Sequence, residues 1–134
     1  MCHRGVRVPA GDGITDRQRL SIEEFVAAAE QLCGLKFTVF VGQLTEGRES
    51  AQQMLTGPDR SRTVLTAVDP TSRQLEIVTG EDASSIIDDR TCALAALAMT
   101  SSFQAGELVG GLRNGINLMA QHARLPARRH TDTV

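Results

Sequence analysis

The run Thr63-Val64-Leu65-Thr66-Ala67-Val68-Asp69-Pro70-Thr71-Ser72-Arg73-Gln74-Leu75-Glu76-Ile77-Val78-Thr79 decides how this chain folds. Both ends are rich in β-branched and large apolar residues, while the middle holds Asp, Pro, Thr and Ser, which favour a turn. The pattern predicts an antiparallel hairpin with strands at 63–68 and 74–79 around a loop at 69–73. Upstream, Leu35, Phe37, Val39 and Val41 alternate along 35–41, and Phe40 makes the second face apolar as well. That predicts a strand covered on both sides, ended by Gly42. A short helix at 48–55, stopped by Gly57-Pro58, fills the gap to the hairpin. The whole gap is long enough for a crossover, so the strands at 35–41 and 63–68 are predicted to run parallel.

The first helix is predicted over 22–33. Ser21-Ile22-Glu23-Glu24 reads as a capping box, and Leu20 and Phe25 stand at the spacing of a hydrophobic staple. Ile22, Phe25, Val26, Ala29 and Leu32 form one helical stripe, and Gly34 supplies a left-handed stop. Beyond the hairpin, a helical turn is expected near 82–86. A helix capped by Asp88 or Asp89 then runs to about Phe103. It is apolar nearly all round, which predicts a buried helix. The last helix, about 105–123, carries Leu108, Leu112, Ile116, Met119 and Ala123, with glycines at 110, 111 and 115 that imply close packing. Arg113 and Asn114 inside Gly111-x-x-x-Gly115 argue for packing in a soluble domain. The reading is α/β: a three-layer α/β/α sandwich around a small mixed sheet. It places a flexible segment at 1–19, a single domain at 20–123 and a flexible tail at 124–134.

Composition narrows the function. The chain has 134 residues, a net charge of −2 and a pI near 5.9, so no basic field favours nucleic acid or an anionic membrane. Four Phe without Tyr or Trp leave no stacking platform for bases or sugars. Cys2, Cys33 and Cys92 form no C-x-x-C, hence neither a disulfide framework nor a zinc site, and they suggest a cytoplasmic setting. No apolar run is long enough for a transmembrane helix, and residues 1–19 lack the core of a signal peptide.

Several stretches together resemble the TPM domain family, including its uncharacterised bacterial members. They are Gly34-Leu35-Lys36-Phe37-Thr38-Val39-Phe40-Val41-Gly42, Val64-Leu65-Thr66-Ala67-Val68-Asp69 with Arg73, and Glu76-Ile77-Val78-Thr79-Gly80. Asp89-Arg90 and Ser102-Phe103-x-x-Gly106-Glu107-Leu108 complete the pattern. The resemblance implies a small α/β/α fold, a divalent cation at an acidic cluster on one sheet edge, and acid phosphatase activity in some members. It also implies membrane or assembly association, and an aspartate just before the first helix, for which Asp12 and Asp16 both stand near.

Glu81, Asp82, Asp88 and Asp89 lie at helix starts on one side of the hairpin, while Asp69 lies at its opposite end. The first four are the candidate ligands for a hard cation, Ca²⁺ or Mg²⁺. The competing reading is that Asp88 and Asp89 cap their helix. Arg73 and Arg90 read either as phosphate holders or as solvated surface. His3, His122 and His130 are scattered, and His122 is placed against the end of the last helix. The chain lacks a P-loop, H-E-x-x-H, G-x-S-x-G, a cysteine-phosphatase loop and an Asp-x-Asp pair. No organic cofactor is implied. Two functions follow: a non-enzymatic binding or assembly module that works with a protein partner and holds a cation weakly, or a weak metal-dependent acid phosphatase at the same acidic corner. The partner reading allows a peripheral place at a membrane.

Overall fold

In a computed structural model, backbone is described for residues 6–7 and 14–132, and side chains for Val6 and residues 14–124. Residues 1–5, 8–13 and 133–134, with Cys2, His3 and Asp12 among them, lie outside the described residues.

The hairpin forms where its sequence asks for it. Strand β3 is Thr63–Asp69 and strand β4 is Gln74–Thr79, antiparallel, with Val64 opposite Thr79 and Asp69 opposite Gln74. Strand β2, Lys36–Val41, lies parallel to β3 in the register Lys36 to Thr63 and Val41 to Val68. The crossover between them carries helix α2, Arg48–Met54, and a turn of 3-10 helix, Arg60–Arg62. A fourth strand, β1, is the pair Val6–Arg7, parallel to β2, giving the order β1-β2-β3-β4. The sequence reading did not anticipate β1: two residues are too few to show a period.

The sheet is apolar on both faces because its strands are. Phe37, Val39, Val41, Val64, Val68 and Ile77 face a large cluster that also takes in buried residues of three helices. These are α1, Asp16–Cys33; α4, Asp89–Gln104; and α5, Leu108–Asp132. On the opposite face Leu65, Ala67 and Val78 pack with Leu44, with Ala51 and Met54 of α2, and with Leu55. Every residue of β3 is buried, as expected for a strand inside the sheet with both faces covered. Helix α3, Glu81–Ser84, is a single turn between β4 and α4.

Three expectations need correction. The first helix begins at Asp16, not Ile22. Thr15 and Gln18 form a reciprocal capping box, Gln18 N to Thr15 Oγ1 at 3.0 Å and Thr15 N to Gln18 Oε1 at 2.8 Å. The sequence holds two box-like patterns in a row, and the earlier one lengthens the helix, so Ser21 lies inside it. Leu20 is 60% exposed, which removes the proposed staple. Second, α4 is not buried all round: Leu94 is 48% and Leu97 is 67% exposed. Third, α5 runs through Pro126 to Asp132, so His122 sits in mid-helix rather than at its end.

The glycine inference concerns real contacts. A Cβ on Gly111 would stand 2.8 Å from Ser102 Cβ and 2.9 Å from Phe103 Cε1, and one on Gly115 would overlap Met99. Both glycines therefore face α4 at close quarters. Gly110 meets nothing nearer than 3.7 Å.

Candidate functional site

Sequence reasoning placed a site at the acidic corner. There, Asp88 is the cap of α4. Its Oδ1 accepts from the Thr91 amide at 2.9 Å and from the Thr91 hydroxyl at 2.7 Å. The Thr91 hydroxyl first, then the amide, hold the carboxyl below its ordinary value, with smaller help from the charges of His122 and Arg90. Asp89 is the first residue of α4, and Glu81 and Asp82 form the first turn of α3. All four carboxylates are exposed and stand at helix starts, where negative charge is favoured. Among the described residues no group of three or more His, Cys, Asp or Glu side chains is placed to hold a metal ion. The structure thus does not bring Glu81, Asp82, Asp88 and Asp89 together as a ligand set of three.

The other end of the hairpin is more highly organised. Asp69 ends β3 with only 4% of its surface exposed. Its Oδ2 accepts from the Leu44 amide at 3.0 Å, and its Oδ1 from the amides of Thr71 and Ser72, both at 3.2 Å. Its carboxyl is held below its ordinary 3.8, mainly by the Leu44 amide; burial opposes the shift, and the Ser72 and Thr71 bonds reinforce it. Gln74 adds a second tie, its Nε2 donating to the Leu44 carbonyl at 3.2 Å and to Ser72 Oγ at 2.8 Å. One buried carboxylate and one amide thereby lock the loop after β2 to the hairpin turn. The turn ends with Arg73 at φ 60°, the one non-glycine residue with positive φ among the described residues. An arginine there costs backbone strain that the locked turn maintains.

This turn faces the junction of α4 and α5 across a cleft of about 440 Å³. Val68, Leu75, Phe103 and Leu108 give it apolar walls. Arg73, Thr100 and Gln104 give it polar side chains; Asp69 and Gln74 also line it, with their side chains bonded to Leu44. Arg73 is exposed and has no hydrogen-bond or ion-pair partner among the described residues. The cleft lies at the carboxyl end of the parallel strands β2 and β3, the usual place for ligands in open α/β sheets. Its volume falls within the range of small-molecule pockets. Sequence reasoning placed Asp69 apart from the acidic corner, correctly, and weighed Arg73 as a phosphate holder, but it did not see the cleft. The available signal was an Asp at a strand end followed by Pro-Thr-Ser, the composition of a side-chain-closed turn.

The remaining candidates are structural or peripheral. Cys33 and Cys92 are half-buried free thiols, both pushed up chiefly by burial; Cys33 donates to the Ala29 carbonyl at 3.3 Å. A raised thiol is a poor nucleophile at neutral pH. Arg90 is exposed, and Arg48 pairs with Glu76 at 3.3 Å across the edge of β4. Among the described residues no helix is long and apolar enough to cross a membrane.

The fold is shared with solved bacterial domains. The N-terminal domain of cg2496 from Corynebacterium glutamicum superposes with a TM-score of 0.74 at 15% identity, covering 89% of this chain and 79% of that one. The BA42 protein of Bizionia argentinensis gives 0.73 at 16% identity, covering 86% and 84%. Two uncharacterised Mycobacterium tuberculosis proteins, MT2543 of strain CDC 1551 and Rv2468c of strain H37Rv, are 24% identical over 103 residues. That stretch is 75% of this chain and 62% of theirs, so the chain spans under two thirds of the curated relatives it matches. The resemblance to the TPM domain family is overturned at the level of family: the model that matches, over residues 6–120, is DUF5130, and the chain belongs to this domain of unknown function.

Proposed function

We propose that the domain is a non-enzymatic binding module and that its binding site is the cleft between the β3–β4 turn and the α4–α5 junction. The observation that carries this reading is the locked turn. A buried carboxylate with three backbone donors fixes the rim of a 440 Å³ cleft and holds on it, in a left-handed conformation, an arginine with no partner among the described residues. The carboxylate and amide ties hold that rim in one geometry, which favours a site already shaped before a ligand arrives. The proposal treats the domain as three layers, with α2 as the thin one; the second apolar cluster on the α2 face supports this.

The acidic corner supports catalysis less well. Asp88 is committed to its helix, and a hydrolytic metal site needs several gathered carboxylates and an open position for water. Weak, exposed cation binding at the corner of Asp88 and Asp89 remains a proposal beside this one. Calorimetric titration of Ca²⁺ and Mg²⁺ into wild type and Asp89→Asn checks it: the expected outcome is a shallow titration in wild type that flattens in Asp89→Asn, with no turnover of a phosphate ester by either protein; identical titrations would remove Asp89 from cation binding. Metal-dependent turnover abolished by Asp89→Asn would make the phosphatase reading the right one. The binding-module reading is tested by amide chemical shifts during a screen of small organic probes. Saturable shifts are expected to cluster at 69–75 and 100–108.

A further inference from the structure

We infer that the ligand of this cleft is a singly charged amphipathic carboxylate, its head on the Arg73 guanidinium and its apolar body between Phe103, Leu108, Leu75 and Val68. The inference rests on the binding-module reading and adds the chemistry of what is bound. The four apolar side chains supply walls that reward burial of hydrocarbon. The cation at the rim is unpaired among the described residues. A guanidinium presents parallel donors that match a carboxylate. Gln104, exposed on the same lining, can add a neutral hydrogen bond to the head.

Charge count decides between kinds of anion. The charged lining groups are one arginine and one aspartate. Asp69 is ionised at neutral pH, since its carboxyl is held low by the amides it accepts from. The Asp69 charge is already met by its own three amide donors, so Arg73 is left to balance one negative charge on a ligand. A dianion such as a phosphate monoester adds a second charge for which the lining has no cation. The same argument disfavours a phosphate ester substrate here.

The test is a two-dimensional NMR titration of the full chain with octanoate, octanamide and octyl phosphate, on wild type and Arg73→Gly. Glycine suits a left-handed position, so this variant is expected to fold as stably as wild type, which its melting curve checks. Octanoate is expected to shift the amides at 69–75 and 100–108 saturably, with Kd in the roughly millimolar range of a ligand of that size. Octanamide and octyl phosphate are expected to bind more weakly, and Arg73→Gly to lose about tenfold or more for octanoate alone. Equal binding of octanoate and octanamide, or unchanged affinity in Arg73→Gly, would overturn the charge recognition while leaving the cleft as a binding site. Tighter binding of octyl phosphate would overturn the preference for a monoanion. If no probe shifts these amides, the binding-module reading falls together with the inference.

Discussion

Two residues set the character of the molecule's most organised corner. Asp69 accepts three backbone N–H groups from two loops, so its removal strands all three donors together. Asp69→Ala is expected to cost about 2–3 kcal/mol, the penalty for buried unsatisfied donors, and chemical denaturation measures it. The pH dependence has a definite sign. The folded carboxyl titrates below its unfolded value, so its contribution is present above the unfolded pKa and lost as pH falls through the folded one. Wild type should therefore lose stability below about pH 4, and Asp69→Ala should lose less over the same window. Arg73 gives the opposite case. Relieving its positive φ with Arg73→Gly should leave the melting temperature unchanged or raise it, by an amount corresponding to about 1 kcal/mol. A clear drop would mean that the arginine side chain holds the turn.

At the scale of elements, the contact of α4 with α5 explains glycines that propensity alone disfavours. Gly110, Gly111 and Gly115 lie in one helix and carry the same intrinsic cost, yet their surroundings differ. Gly110→Ala meets only ordinary contacts, none nearer than 3.7 Å, and should stabilise by up to about 1 kcal/mol. Gly111→Ala drives a methyl against Ser102, Phe103 and the Met99 carbonyl, and should destabilise by about 1–3 kcal/mol despite the same gain in propensity. Thermal unfolding of the pair decides; stabilisation in both would mean that α4 yields easily. The outer side of α4 behaves differently again. Leu94 and Leu97 are exposed, so replacing both with serine should change stability by no more than about 0.5 kcal/mol each. A larger loss would restore the buried helix that the sequence pattern suggested.

The whole molecule is organised by β3, whose residues alternate between two apolar clusters. Val64 and Val68 belong to the cluster with α1, α4 and α5, and Leu65 and Ala67 to the cluster with α2. The two halves of the core therefore share one strand and should unfold together. Leu65→Ala, in the smaller cluster, is expected to cost about 2–5 kcal/mol and to lower a single transition seen alike by far-UV circular dichroism and by core methyl signals. Two separated transitions would show that the cluster around α2 melts on its own.

Where local chemistry was decisive, the sequence alone was enough. Alternation and turn residues placed β2, β3 and β4 within a residue of where they lie, and the length of the crossover implied the parallel pairing. Gly34 stopped α1 as a left-handed cap with its amide on the Glu30 carbonyl at 2.8 Å. An aspartate capped α4 as expected, an interaction of one residue with its own helix, and the structure fixes it as Asp88 rather than Asp89. What tertiary structure decided were questions of which surfaces meet. An apolar α4 reads the same from sequence whether one side or every side is covered, and here Leu94 and Leu97 are left outside. Two successive capping boxes have equal local merit, and the chain uses the earlier. Four carboxylates at neighbouring helix starts are close in sequence, yet no three of the described acidic groups are placed to hold an ion. The cleft joins residues about 30 apart in the chain, such as Arg73 and Phe103, so no local pattern encodes it. Periodicity and capping act over a few residues, whereas a pocket exists only once separate elements have packed.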